Sequence, residues 1–206
     1  MDIITCVLHQ NGKVQITADS GREFLIPLSV FKQQPLSEGE VVNLDIYAQN
    51  LAARLHRHAL DRAVKYLAAR PRSRKEVETR LRQYGYPDDT VEMVLFKLEK
   101  VGVLNDPSFA EQWAHARSEK GRGKTTIARE LYQKGISKET AEAVLEDLDE
   151  EQQLAKARAL AEKWAPRYRG EDRQAALRKL TQALIRRGYT WEIAKAAVGF
   201  DNEEDD

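Results

Sequence analysis

Apolar positions along the chain follow two different spacings. Through residue 50 they fall in short runs, Ile3 to Leu8, Lys13 to Thr17, Phe24 to Val30 and Val41 to Tyr47, rich in β-branched and aromatic residues. Asn11-Gly12, Ser20-Gly21 and Glu38-Gly39 punctuate them. Runs of this kind read as strands, and Asn-Gly between two of them signals a hairpin. A small antiparallel sheet of three or four strands is the expectation. A sheet so small needs a surface to pack on, supplied by the helices that follow or by a partner.

From Leu51 the spacing becomes helical, with Leu51, Leu55, Leu60, Val64 and Leu67 on a first helix that Arg70-Pro71 ends. Ser73-Arg-Lys-Glu76 has the form of a capping box, in which serine and glutamate satisfy each other's free amides. A second helix follows with Val77, Leu81 and Tyr84 on one face, then a third expected to bury Val91, Val94, Leu95, Leu98 and Val101. Asp106 then reads as a helix cap with Pro107 at the first helical position. Phe109 and Trp113, four residues apart, are assigned to the core of that helix rather than to a stacking platform. Ile127 and Leu131 mark the next helix, and Ser137 caps another that carries Val144, Leu145 and Leu148. A last set has Leu154, Leu160 and Trp164, a loop from Pro166 to Glu171, Leu177, Leu180 and Leu184, and a helix capped by Thr190.

An internal echo organises these helices. Leu81-Arg-Gln-Tyr-Gly85-Tyr returns as Leu131-Tyr-Gln-Lys-Gly135-Ile and as Leu184-Ile-Arg-Arg-Gly188-Tyr, at intervals of 50 and 53 residues. A period of that length with helices on both sides implies stacked helical units rather than one globule. Each copy places glycine where the chain leaves a helix through a left-handed conformation. The expected fold class is therefore mainly α, with three tandem three-helix repeats in an elongated curved array and a small N-terminal antiparallel β segment. The expected divisions are a β-rich segment at 1–50, repeats at 51–105, 106–152 and 153–200, and an acidic disordered tail at 201–206.

Composition narrows the function. The 206 residues are 42% hydrophobic and 32% charged, enough for a core and for a soluble surface. No apolar run approaches the roughly 20 residues that span a bilayer, and no signal peptide is visible, so a cytoplasmic protein off the membrane is expected. The lone Cys6 fits a reducing compartment. A net charge of zero conceals an uneven distribution: residues 1–50 carry 3 basic and 6 acidic groups, residues 51–200 carry 30 and 22, and residues 201–206 carry 5 acidic groups. A basic middle between acidic ends points to an acidic or polyanionic partner.

Candidate chemistry is sparse. Gly123-Lys124-Thr125 matches the end of a phosphate-binding loop, but Ser118 stands where that motif needs its first glycine, and the preceding residues are helical rather than a strand. The exposed amides and basic groups of this loop remain able to contact a phosphate or carboxylate. His56 and His58, two apart on a helix, point to different sides, and no cysteine or carboxylate completes a metal site. No nucleophile, base and orienting group stand at useful spacing. No enzyme and no cofactor are expected.

The basic turns are the stronger lead. Arg70, Arg72, Arg74 and Lys75 cluster between the first two helices of the first repeat. Arg117, Lys120, Arg122 and Lys124 cluster at the corresponding turn of the second, and Arg167, Arg169 and Arg173 lie in the matching loop of the third. A regular stack would set them along one edge as a basic stripe, an electrostatic footprint for a partner. Exposed turns are often charged for no functional reason, but the recurrence in all three repeats favours the stripe.

Leu67-Ala-Ala-Arg70-Pro71-Arg72-Ser73-Arg-Lys-Glu76, Gly102-Val-Leu104-Asn105-Asp106, Phe109-Ala110, Trp113-x-x-x-Arg117 and Glu130-Leu131-Tyr-Gln-Lys134-Gly135-Ile136 together resemble the regulatory protein RecX family. The resemblance covers about residues 60 to 200, and residues 1–50 resemble a β extension found in some members. It implies tandem three-helix repeats and a non-enzymatic modulator of the RecA recombinase. Such a protein binds the RecA filament on single-stranded DNA and restrains its growth, ATPase, strand-exchange and coprotease activities. The implied partners are the RecA filament and single-stranded DNA, touched directly or through RecA, with the protein itself monomeric. An extended repeat surface suits a filament, because many modest contacts add across neighbouring subunits. Arg70, Arg72, Arg117, Arg122 and Lys124 lack a structural explanation in the sequence and head the binding candidates, followed by Arg74, Lys75, Arg167 and Arg169. A rival reading is a DNA-binding protein that uses helix-turn-helix-like repeats independently of RecA. Its affinity for DNA would be salt-sensitive with no recombinase present. A plain helical scaffold would ignore both.

Overall fold

A computed structural model of the chain describes residues 1–199, so the acidic tail expected at 201–206 lies outside the described residues. The chain divides between Asn105 and Asp106 into two compact units.

The first unit joins the sheet to the first three-helix repeat. Strands β1 (Asp2–Gln10), β2 (Lys13–Ala18), β3 (Glu23–Pro27) and β4 (Val41–Val42) form an antiparallel sheet in the order β3-β2-β1-β4. Gln10 pairs with Lys13 across Asn11-Gly12, where both residues have positive φ (49° and 76°). That is the two-residue turn whose twist matches flanking strands, which is why asparagine and glycine stand there. On β2 the alternation puts Val14, Ile16 and Ala18 inside, with Ile4 and Ile26 beside them. This face shares one core with Leu44, Tyr47, Leu51 and Leu55, so the helices supply the surface the small sheet requires.

Two strand expectations are corrected. The third run stops at Pro27 and turns into a short helix, α1 (Leu28–Phe31). The fourth is strand only at Val41–Val42, because Asn43 caps a helix there, its side chain accepting from Asp45 N at 3.0 Å and Ile46 N at 3.2 Å. Helix α2 therefore runs from Leu44 to Ala69 and begins before Leu51. Arg70, fully extended before Pro71, ends it. Helices α3 (Arg74–Gln83) and α4 (Asp88–Lys100) complete the repeat, and the capping box of Ser73 and Glu76 is present in both directions. Val101 is 61% exposed and Val64 46% exposed, so neither joins the core as expected. The buried stripe of α2 instead passes from Leu51 and Leu55 to Ala59 and Ala63, whose small side chains let the neighbouring helices approach.

The second unit contains α5 (Asp106–Glu119), α6 (Lys124–Gln133) and α7 (Lys138–Glu146), then α8 (Glu150–Trp164), a 3-10 turn at Ala165–Tyr168, α9 (Arg173–Arg187) and α10 (Trp191–Val198). Asp106 is the first helical residue of α5 rather than its cap. Phe109 is buried and Trp113 half-buried, their rings stacked 5.8 Å apart. Ser137 and Thr190 cap α7 and α10 as expected, accepting from Thr140 N and Ile193 N. In the third repeat Leu154, Leu160 and Trp164 are only half-buried, and Gln153, Ala157 and Ala161 form the buried face of α8.

The three echoed corners share one hydrogen-bond pattern. Tyr86 N donates to Leu81 O, Ile136 N to Leu131 O and Tyr189 N to Leu184 O, at 3.4, 3.1 and 3.2 Å. Gly85, Gly135 and Gly188 donate to Arg82, Tyr132 and Ile185, with φ of 86°, 81° and 99°. Each is a Schellman corner, and its apolar closing residue (Tyr86, Ile136 or Tyr189) is buried.

Candidate partner-binding surfaces

The first basic turn is held by its neighbours. Arg70 pairs with Glu76 at 2.9 Å, and Arg72 approaches the same carboxylate at 3.7 Å while its guanidinium lies 4.0 Å from the centre of the Tyr66 ring. The Arg72 side chain is only 15% exposed, so it is a built part of this corner. Arg74 reaches three carboxylates, Glu78 on its own helix at 3.6 Å, and Glu92 at 2.7 Å and Glu99 at 2.8 Å, the last two tying α3 to α4. Burial opposes the charge of Arg74, but Glu92 and Glu99 outweigh it and raise its pKa further. Lys75 is exposed.

At the second turn the sequence's expectation of free amides is overturned. Gly121 and Gly123 are buried against the third repeat. Gly123 N donates to Arg187 O at 3.2 Å and Thr125 N to Gly188 O at 3.0 Å, which occupies two of the donors at the start of α6. In return the Arg187 side chain donates from Nε to Gly121 O at 2.9 Å and from a terminal nitrogen to Lys120 O at 2.8 Å. A Cβ on Gly123 would meet Gly188 backbone at 2.2 Å, which is why glycine replaces the serine found at position 73. Arg117 stands beside Glu130 at 2.6 Å, an ion pair by proximity rather than an aligned hydrogen bond, and lies 4.3 Å from the Trp113 ring centre. The side chains of Arg122 and Lys124 are half-buried and have no carboxylate partner among the described residues. In the third loop, Arg167 and Arg169 are exposed on and just beyond the 3-10 turn.

The fold brings Arg62, Tyr66 and Arg80 together with Tyr84 on the first repeat, and of these four the sequence pattern singles out Tyr84 alone. Arg62 lies 4.4 Å from the Tyr84 ring centre, and Arg80 lies 4.7 Å from Tyr84 and 5.9 Å from Tyr66. Sequence spacing signals one of these contacts, since Arg80 and Tyr84 are four apart, whereas Arg62 meets Tyr84 across two helices. One turn before Arg62 on α2, His58 contacts Ser29 Oγ through Nε2 at 3.1 Å and the Tyr86 hydroxyl through Nδ1. A neutral imidazole satisfies both, accepting from Tyr86 and donating to Ser29. Burial and the nearby Arg62 lower the His58 pKa and favour that neutral form, while burial pushes the Tyr86 hydroxyl up to about 12.

Comparison with known proteins gives this framework a family. Models of the first, second and third three-helix domains of RecX match residues 59–98, 105–145 and 150–198 in succession. The chain belongs to the RecX family. It is 36% identical over 143 residues to "Regulatory protein RecX" of Mycolicibacterium smegmatis, covering 67% of this chain and 76% of that protein. It is 30% identical over 200 residues to the protein of the same name from Listeria welshimeri, covering 96% of this chain and 74% of the relative. Among solved structures, RecX from Lactobacillus salivarius superposes with a TM-score of 0.68 at 28% identity, over 71% of this chain and 96% of that one. A second RecX crystal structure gives 0.69 over 96% and 98% of the two chains, at 24% identity, and likens the fold alone. As a RecX family member the chain is a regulatory protein built from three three-helix domains, preceded here by the four-stranded sheet. No helix among the described residues is long and apolar enough to cross a membrane.

Proposed function

We propose that this protein is a non-enzymatic modulator of the RecA recombinase. In this reading it binds the RecA filament on single-stranded DNA and restrains the filament's growth, ATPase, strand-exchange and coprotease activities. The observation that carries the reading is the unbroken succession of three RecX domains along residues 59–198. The basic residues divide by employment. Arg72, Arg74 and Arg117 serve largely to fasten their own repeats. Lys75, Arg122, Lys124, Arg167 and Arg169 have no carboxylate partner among the described residues, and are the cations a filament or its DNA meets first. Arg70 stands between, paired with Glu76 yet 44% exposed.

The test is the steady-state ATPase of RecA on single-stranded DNA, titrated with substoichiometric amounts of this protein. Turnover is expected to fall well before the two proteins are equimolar, because one modulator acts on a filament of many subunits. Unchanged turnover across the titration overturns the reading.

A further inference from the structure

The arginines and tyrosines between α2 and α3 form a continuous array. Along it Arg62, Tyr84, Arg80, Tyr66 and Arg72 alternate, with each guanidinium 4.0 to 5.9 Å from the centre of a neighbouring ring. Because Arg62 and Arg80 both lie against Tyr84, at 4.4 and 4.7 Å, the two cations are no more than about 9 Å apart. Glu76 is the carboxylate of this cluster, and it already receives Arg70, Arg72 and the Ser73 amide. No carboxylate among the described residues pairs with Arg62 or Arg80, and the hydrogen bond of Arg80 goes to neutral Gln83. The cluster therefore carries a surplus of fixed positive charge.

We propose that this arginine–tyrosine array is a contact site for the phosphate backbone of single-stranded nucleic acid, without regard to base sequence. Stacking on tyrosine holds each guanidinium plane in place, so less freedom is lost when its N–H fork binds an anion. The arginines lie against the tyrosine rings and compete with bases for them, which leaves the backbone as the element read. A single fork accepts a carboxylate as readily as a phosphate. Two forks held on one ring favour a polymer that offers a charge at every unit, as a nucleic-acid strand does and an acidic protein patch rarely does.

The second repeat carries the same kind of construction on its own first two helices. There Trp113 lies 4.3 Å from both Arg117 and Lys134, and Lys134 also lies 5.7 Å from Phe109. Lys134 holds the position, 50 residues on, that Tyr84 holds in the first repeat, so cation and ring have changed places while the stacking is kept. The site deepens the filament reading by making DNA a direct contact, but its test contains no recombinase, so either idea can fail alone.

The experiment measures fluorescence anisotropy of a labelled oligothymidylate with the full chain across a salt series. The substitutions R62Q and R80Q together are expected to weaken binding about tenfold or more at low salt. They should also flatten the log–log salt slope by about 1.4, near 0.7 for each phosphate of a single strand that is no longer neutralised. K97Q with K100Q removes the same charge from exposed positions of α4 and should leave the slope nearly unchanged. R62K with R80K keeps the charges but not the forks, and should retain most of the slope with several-fold weaker binding. If the double glutamine variant melts early, R80Q alone, at an exposed side chain, carries the test with a slope change of about 0.7. Absence of wild-type binding, equal weakening in the R62Q/R80Q and K97Q/K100Q pairs, or displacement of the oligonucleotide by polyglutamate as readily as by unlabelled strand, overturns the proposal.

Discussion

At Gly188 the backbone stands at φ 99°, and a Cβ would lie 2.4 Å from Thr126 Oγ1 and 2.5 Å from Thr126 N. Two penalties combine there: the left-handed conformation costs an L-residue about 1–2 kcal/mol, and the collision is with backbone that cannot step aside. Gly102 has φ 71° with nothing within 4 Å of its added Cβ, so it isolates the first penalty. Gly188→Ala is therefore expected to destabilise by about 3 kcal/mol or more and Gly102→Ala by about 1 kcal/mol, read from denaturant midpoints. Equal effects at the two sites would contradict the close approach to Thr126. Sequence alone marked Gly188 as a corner because its echo with Gly85 and Gly135 is local. It did not mark Gly188 as a packing partner of Gly123, because Gly123 lies in another repeat and leaves no periodic trace. Arg187 was opaque for the same reason, since its acceptors are two backbone carbonyls that any residue would present.

Among the elements, caps and stops were the most legible features. Ser73, Ser137 and Thr190 act on amides within three residues of themselves, so their role is written locally. The start of α2 was hidden because Val41 to Tyr47 satisfies a strand pattern until Asn43 captures the amides of Asp45 and Ile46. Leucine and valine spacing predicts the core stripe of α2 only in part, because those residues advertise burial while alanine does not. Ala59 and Ala63 are 0% and 1% exposed, whereas Val64 is 46% exposed. Enlarging a residue on that stripe should therefore cost more than trimming one beside it. Ala63→Leu is expected to lose about 1–3 kcal/mol to overpacking, and Val64→Ala to stay within about 0.5 kcal/mol of the parent. Thermal midpoints of the two variants check the ranking, and a larger loss at Val64 would restore the stripe that leucine spacing alone suggests.

For the molecule as a whole, the period of the repeats was legible but their coupling was not. The count of three repeats follows from three glycine corners, and three family domains match the same stretch. Yet the second and third repeats form one compact unit, and polar groups of each bond to the other. Gln153 Nε2 donates to Ser118 Oγ at 2.8 Å, Lys156 pairs with Glu119 at 2.8 Å, and Gly123 and Thr125 donate to the backbone of the third repeat. Removing the third repeat would leave Gly121, Gly123 and Ser118 exposed with their partners gone, a loss that a core as small as Phe109, Ile127, Leu131 and Val144 cannot absorb. A fragment of residues 106–206 is accordingly expected to give a helical circular dichroism spectrum and one cooperative transition, and a fragment of residues 106–149 to be largely unfolded at the same temperature. Independent, cooperative melting of the shorter fragment would mean that each repeat carries its own stability. The hydrogen bonds across Gly123 and Gly188 would then serve alignment rather than folding.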